Sequence, residues 1–457
     1  MKYDLILKGG QIVYPGECVK PGSIAVIGDK IARLLPAETN ESATRVIDCR
    51  DRWILPGLID PHTHIGFGDK ENDWLTETRS ALIGGVTSLL SFHRDNDLAV
   101  STPNWRQAAL DRASCDFGFH FGVTKTQDIE SLAVNAAQFG VTSIKVYLMY
   151  KGAYGASKGF TEVDDALLFR ALQAGAKLPG GVVSVHCENV EVIPVFREPL
   201  KNANRNDLAA WNEQSPGFLE TENVFRVCYF GEKADCPVNI VHMSSAESLE
   251  LVRGLRRPGR PPINIETCAH YLSLSDDMGL GLEGKVNPPL RSQADVDGLW
   301  EGVRNGEITT IGSDHVARKH ATKGPDLWTA SAGFPGLATL LPVLIEEGYH
   351  KRGVPIETIA AATSRNVANL YSIPNKGKIS PGYDADLTIV DPTATRTVDH
   401  VDLASFSDYS PFQGRDLCGQ PTATVLRGRL VMESGAIVGE IKGTGRYLER
   451  NIKGQHQ

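Results

Sequence analysis

No window of this chain approaches the ~20 consecutive apolar residues that a membrane-spanning helix needs. Residues 1–8 (Met1-Lys2-Tyr3-Asp4-Leu5-Ile6-Leu7-Lys8) hold neither a long apolar run nor a small-residue cleavage site. These absences predict a cytoplasmic protein with no membrane partner. An excess of basic charge is missing too: 47 lysines and arginines against 55 acids leave a net charge of -8, which argues against a nucleic-acid partner or an acidic lipid surface. The densest basic cluster, Arg253, Arg256, Arg257 and Arg260, reads as a solvated helix end before a Pro/Gly turn. The 8 cysteines include no Cys-x-x-Cys pair, in a chain too long to need disulfide staples, and read as reduced core residues. With 41% hydrophobic and 22% charged residues, nothing points to disorder.

What is present is organised in two styles. At 457 residues the chain exceeds what one core usually supports, so a barrel-sized domain with a smaller companion is expected. The first fifty residues alternate short β-rich runs with turn signals such as Gly9-Gly10 and Gly28-Asp29-Lys30, and the last eighty do the same around 386–390, 423–426 and 430–432. Between them, short apolar runs alternate with helix-like segments such as 163–176 and 246–255, the pattern of βα units. Eight candidate strands begin at 58–60, 86–91, 116–122, 143–147, 182–186, 238–242, 263–267 and 309–314. The predicted fold class is therefore α/β: a (β/α)8 barrel over 55–375, with a small β-sandwich built from both termini, 1–54 and 376–457.

Such a barrel carries its active site at the C-terminal strand ends, and polar residues gather there. Gly57-Leu58-Ile59-Asp60-Pro61-His62-Thr63-His64 places two histidines at i and i+2, a spacing at which both side chains leave a strand on one face and can grip one ion. Lys145 lies in the fourth strand, His186 closes the fifth, His242 the sixth and Asp314 the eighth. Any one of these alone is an ordinary satisfied polar residue; all six converging on one barrel mouth predict a metal centre. Four imidazoles and a carboxylate suit zinc or a similar divalent ion, and six groups are more than one four- or five-coordinate ion uses, so two metals fit better than one.

An ammonium cannot ligate a metal, so Lys145 needs another explanation. Here the chain resembles the amidohydrolase superfamily and, within it, the dihydropyrimidinase and hydantoinase family. The resemblance spans nearly the whole chain and rests on the first-strand motif, Ile144-Lys145-Val146-Tyr147-Leu148-Met149-Tyr150-Lys151-Gly152, His186-Cys187-Glu188-Asn189, Val241-His242-Met243-Ser244, Glu266-Thr267-Cys268-Ala269-His270-Tyr271-Leu272, Asn287-Pro288-Pro289-Leu290-Arg291 and Gly312-Ser313-Asp314-His315. It implies that Lys145 is carboxylated by CO2 to a carbamate bridging two divalent ions (zinc, with manganese or cobalt as alternatives). His62, His64 and Asp314 would hold the more buried ion, and His186 and His242 the other. It also implies that a water activated between the ions attacks a ring amide carbon, that Asp314 carries the proton to the departing nitrogen, and that Tyr150 donates to the developing oxyanion. Ring amides would be held by backbone groups at Asn287 and Ala332, where the family usually shows serine and asparagine. A homotetramer is the implied assembly.

The expected substrate is a cyclic amide, a 5,6-dihydropyrimidine or 5-substituted hydantoin, opened to an N-carbamoyl amino acid. Allantoin or another cyclic ureide or imide is the alternative, and Gly333-Phe334-Pro335-Gly336-Leu337 leans toward the dihydroorotase and allantoinase style. Dihydroorotase-like enzymes place an arginine two residues after the histidine pair, whereas His64-Ile65-Gly66-Phe67-Gly68 offers no cation and suits a neutral ring. Tyr154 and Phe160, in the 152–160 loop, are candidates to line the same pocket as the 65–73 loop, and His93 either faces substrate or is a satisfied loop histidine. A non-catalytic scaffold is the alternative of another class; such relatives lack several ligands, and this chain keeps every one.

Overall fold

The computed structural model describes residues 2–161 and 163–450. In its central part, parallel strands at Leu58–His64, Val86–His93, Asp116–Gly122, Ser143–Tyr147, Val182–His186, Val238–Ile240 and Ile263–Cys268 each pair with the next. The eighth strand is broken in two. Thr310–Gly312 pairs with the seventh strand and His315–Val316 with the first, so the hydrogen bonding closes into a ring around the break at Ser313 and Asp314. The helices expected at 163–176 and 246–255 are observed at Asp165–Gly175 and Ala246–Leu255.

Parallel strands covered by helices are buried on both faces, which is why they read as near-continuous apolar runs. The third strand shows the division of labour. Phe117, Phe119 and Phe121 are fully buried on one face, against Trp74 and Phe139 from the surrounding helices. Burying each such ring contributes roughly 1.5–3 kcal/mol. His120, one residue out of phase, points inward to Ser143 and the Pro61 carbonyl.

Tyr3–Tyr14, Cys18–Ile27, Lys30–Leu35, Ala43–Asp48 and Trp53–Pro56 join Leu387–Thr397, Asp416–Leu426, Arg429–Glu433 and Ala436–Ile437 in one continuous nine-stranded sheet. Leu5, Leu7, Ile24 and Val26 from one chain end share a core with Leu387, Ile389, Ala423 and Val425 from the other. Gly9-Gly10, expected as a turn, instead lies within the first strand, where the register with its neighbour shifts and Gly9 takes φ +75°. Trp53–Pro56 pairs with Leu387–Thr397 and leads straight into the first barrel strand, tying the two systems together.

Residues 446–448 return to the barrel: the Phe117 amide donates to the Arg446 carbonyl at 3.0 Å and the Leu448 amide to the Phe117 carbonyl at 2.7 Å. All 8 cysteines are free. Among the described residues no helix is long and apolar enough to cross a membrane. In the basic cluster, Arg253 pairs with Glu250 and Glu307, Arg260 with Glu232, and Arg256 donates to the Ile263 and Glu307 carbonyls, so these side chains serve local packing.

Candidate active site

The strand ends deliver their polar side chains to one place. His62, His64, Lys145, Tyr150, His186, His242, Asn287, Asp314 and the Ala332-Gly333 segment all line a single cavity that opens to solvent. The His62 ring centre lies 5.3 Å from that of His64 and 5.2 Å from that of His242, which is 4.3 Å from His186. The ligand atoms of His62, His64 and Asp314 lie within 4.8 Å of one another, a cluster able to hold a metal ion.

Two of these residues depart from regular backbone to get there. His242, two residues past the sixth strand, takes φ +40°, and Asp314, in the break of the eighth, takes φ +49°. The left-handed region costs a non-glycine residue on the order of 1–3 kcal/mol, so such positions persist only where the surroundings enforce them. Here the turns aim both side chains into the cavity.

Asp314 Oδ1 stands 3.1 Å from both His62 Nε2 and His64 Nε2. Burial works against its charge, but the two imidazoles outweigh that and hold the carboxyl well below the usual range. Burial pushes His64 down to about 4 and His242 far below the ordinary imidazole value, leaving neutral rings suited to ligation. Lys145 is 1% exposed and its Nζ has no hydrogen-bond partner among the described residues; burial lowers its ammonium to about 8. His62 Nε2 and His242 Nδ1 are likewise buried without an aligned partner. Leaving several polar atoms orphaned in one wall is expensive unless something binds them, and imidazoles, a carboxylate and a lysine nitrogen are the donor set a divalent centre with a lysine-derived ligand requires. The residues fit the metal group.

Two carboxylates that the sequence reading left without a role brace these ligands. Glu266, fully buried on the seventh strand, hydrogen-bonds His62 Nδ1. Glu188 Oε2 lies 3.1 Å from His186 Nε2, while its other oxygen accepts from Ser215. Both stood in quoted motifs; the available signal was an acid within or beside an apolar strand end, where burial demands a partner.

Tyr150 lines the cavity and is stacked on the buried Phe160 at 4.4 Å. Gly155 permits that placement: a Cβ there would fall 2.7 Å from the Tyr150 carbonyl. Phe160 therefore backs Tyr150 rather than lining the cavity, while Phe67 does line it. The side chain of Tyr154 lies outside the described residues. His93 does not reach the cavity; it is buried, with Nε2 3.1 Å from Ser101 Oγ, and packs near Trp105 and Phe119.

The backbone contacts expected at Asn287 and Ala332 sit on two segments joined by buried lysines. Lys323 Nζ donates to the Lys285, Ser331 and Gly333 carbonyls, and Lys285 Nζ to those of Leu327 and Ala330. The wall is also less apolar than the sequence suggested. Loop 65–68 brings no cation, but Arg318, four residues past Asp314, lines the same cavity.

Comparison with known proteins identifies relatives of the chain. Residues 262–431 match the model of the amidohydrolase family. The chain is 32% identical over 447 residues to an allantoinase of Rubrobacter xylanophilus, covering 95% of this chain and 96% of that one. It is 31% identical over 473 residues to a D-hydantoinase of Geobacillus stearothermophilus, covering 97% and 96%. Among solved structures, an L-hydantoinase (dihydropyrimidinase) from Arthrobacter aurescens superposes with a TM-score of 0.91 at 29% identity, covering 98% of this chain and 100% of that one. A dihydropyrimidinase from Brevibacillus agri gives 0.89 at 28%, covering 98% and 99%. With 32% and 31% identity sustained over almost its whole length, the chain belongs to the amidohydrolase superfamily, in its hydantoinase family.

Proposed function

We propose that this protein hydrolyses the ring amide of a cyclic ureide, a dihydropyrimidine or 5-substituted hydantoin, to an N-carbamoyl amino acid. The observation that carries the reading is the convergence of four histidines, Asp314 and the Lys145 nitrogen, unpartnered among the described residues, on one cavity that Asn287 and Ala332 also line. His62, His64 and Asp314 would hold one divalent ion, His186 and His242 a second. Lys145 would be shared between them as the carbamate formed when its neutral amine adds to CO2 and loses a proton. Bound there, such ions supply an activated water and polarise the scissile carbonyl.

The chain's own residues do the rest. Asp314, kept as a carboxylate between two imidazoles, accepts a proton at Oδ and returns it to the departing ring nitrogen. Tyr150, braced by Phe160, presents its hydroxyl to the oxygen that gains charge. Asn287 and Ala332 hold the ring amide through main-chain groups. The domain division supporting this site is a barrel over 55–375 and a β-sandwich from 1–54 and 376–457, a reading supported by the shared core of the terminal strands. A homo-oligomer, a tetramer by family resemblance, is part of the same proposal.

The second reading, allantoin as the ring opened, is favoured by the identity to the Rubrobacter allantoinase. Protein expressed with zinc or manganese and bicarbonate is assayed on dihydrouracil, 5-substituted hydantoins, allantoin and succinimide, with metal content per chain measured alongside. Opening of dihydrouracil or hydantoins with two metals per chain is expected, and Lys145→Ala should abolish turnover and lower metal content. Exclusive turnover of allantoin would establish the second reading. Full activity of Lys145→Ala would refute the shared-lysine site.

A further inference from the structure

Tyr147 ends the fourth barrel strand two residues beyond Lys145, so both side chains leave the strand on one face, and both line the cavity. The residue is 6% exposed. Its ring is wedged in place: Phe160 meets it edge-on at 5.1 Å, Tyr150 lies at 5.9 Å and Phe92 at 6.3 Å, and a Cβ on Gly122 of the third strand would come within 3.5 Å of Cε2. The hydroxyl nevertheless has no hydrogen-bond partner among the described residues. Nor is it one of the polar atoms sealed away inside the protein, so the oxygen opens onto the cavity that the ring lines. Phenylalanine would fill the same wedge, and packing alone gives that oxygen no purpose.

We propose that Tyr147 makes this enzyme selective for a ring whose carbon substituent carries a neutral hydrogen-bonding group, a carboxamide or a ureido. This rests on the ring-opening reading and narrows its substrate class. The ions, the oxyanion and the ring amide are served by other groups in that reading, and Phe67, Met149, Val286 and Val316 add only apolar wall. What is left for the Tyr147 hydroxyl is the substituent. A phenol both donates and accepts, which matches the adjacent carbonyl and NH2 of an amide or urea. A seated ring displaces water from the hydroxyl; an amide replaces that hydrogen bond, whereas an alkyl group leaves the oxygen dry and unpaired. Because the ring is packed on several sides, it cannot swing away to avoid the loss, and it gives up little freedom when it binds.

The test uses a matched pair, hydantoin-5-acetamide and its apolar isostere 5-isobutylhydantoin, with metal-loaded wild type and Tyr147→Phe. Metal content and melting temperature report the integrity of the variant. Wild type is expected to favour the acetamide in kcat/KM by roughly tenfold or more, the scale on which a site built to hydrogen-bond rejects an analogue that cannot. Tyr147→Phe should lose that preference through KM, with KM rising for the acetamide and falling for the isobutyl ring, whose methyls no longer face an unpaired oxygen. Equal treatment of the pair or an isobutyl preference in wild type, a preference that survives in Tyr147→Phe, or an equal loss on both rings would overturn the assignment and leave Tyr147 as packing. If wild type opens neither ring, the ring-opening reading fails separately. Calorimetric binding of the same pair then decides Tyr147: tighter binding of the acetamide by wild type but not by Tyr147→Phe supports it, and equal binding, or none, overturns it.

Discussion

His62 Nδ1 lies 2.5 Å from Glu266 Oε1 with both side chains fully buried, so the ligand that opens the site on the first barrel strand is aimed from the seventh. The contact fixes which imidazole nitrogen is left for the cavity and makes that nitrogen more basic. The candidate metal cluster is thus braced across the barrel, by a residue more than 200 positions away in sequence.

Removing the charge of that brace should weaken the ion it supports. Glu266→Gln keeps the size and can still accept a hydrogen bond, and a loss of about 10–100-fold in metal affinity is expected. Titrating apo-protein with zinc while following activity checks this; unchanged affinity would show that Glu266 serves packing alone.

Tyr150 is placed by stacking on Phe160, so removing only its hydroxyl should leave binding nearly intact. Tyr150→Phe is expected to lower kcat by roughly 10²–10³ with KM little changed, the behaviour of a donor used chiefly in the transition state. A rise in KM with kcat preserved would assign the hydroxyl to ground-state binding.

Lys323 ties three carbonyls on two cavity-lining segments together. Lys323→Met takes one donor from each: the Lys285 carbonyl keeps the Gly333 amide and the Gly333 carbonyl keeps the Tyr409 hydroxyl, while the Ser331 carbonyl loses its donor, at a cost of about 1–3 kcal/mol where water cannot reach it. A lower urea midpoint is expected, with KM raised more than kcat is lowered, because the Gly333 segment loses one of its tethers.

Burial holds the His93 imidazole down to about 4, although Asp95 nearby pulls the other way. Between about 6.5, the unfolded value, and 4 the unfolded chain binds a proton that the folded chain refuses, so stability is full above pH 6.5 and falls as pH drops through 4. The loss amounts to about 3 kcal/mol. His93→Gln, which cannot titrate, should shrink the difference between urea midpoints measured at pH 7 and pH 4.5; an unchanged difference would place the acid sensitivity elsewhere.

Strand periodicity, the phase of each polar residue and the residue types at the strand ends were legible in the one-dimensional chain, because a strand's repeat is local and ligand chemistry belongs to single side chains. The barrel and the six metal-site candidates followed from that, while the role of Tyr150 came from the family resemblance. Tertiary structure alone decided which groups meet. Glu266 finds His62, and Arg318 enters the cavity, only because the broken eighth strand closes the ring onto the first. Phe160 turns under Tyr150 instead of into the pocket because Gly155 lets the loop pack closely against the Tyr150 backbone. Loop direction and ring closure depend on contacts between residues far apart in sequence, and no local pattern carries them.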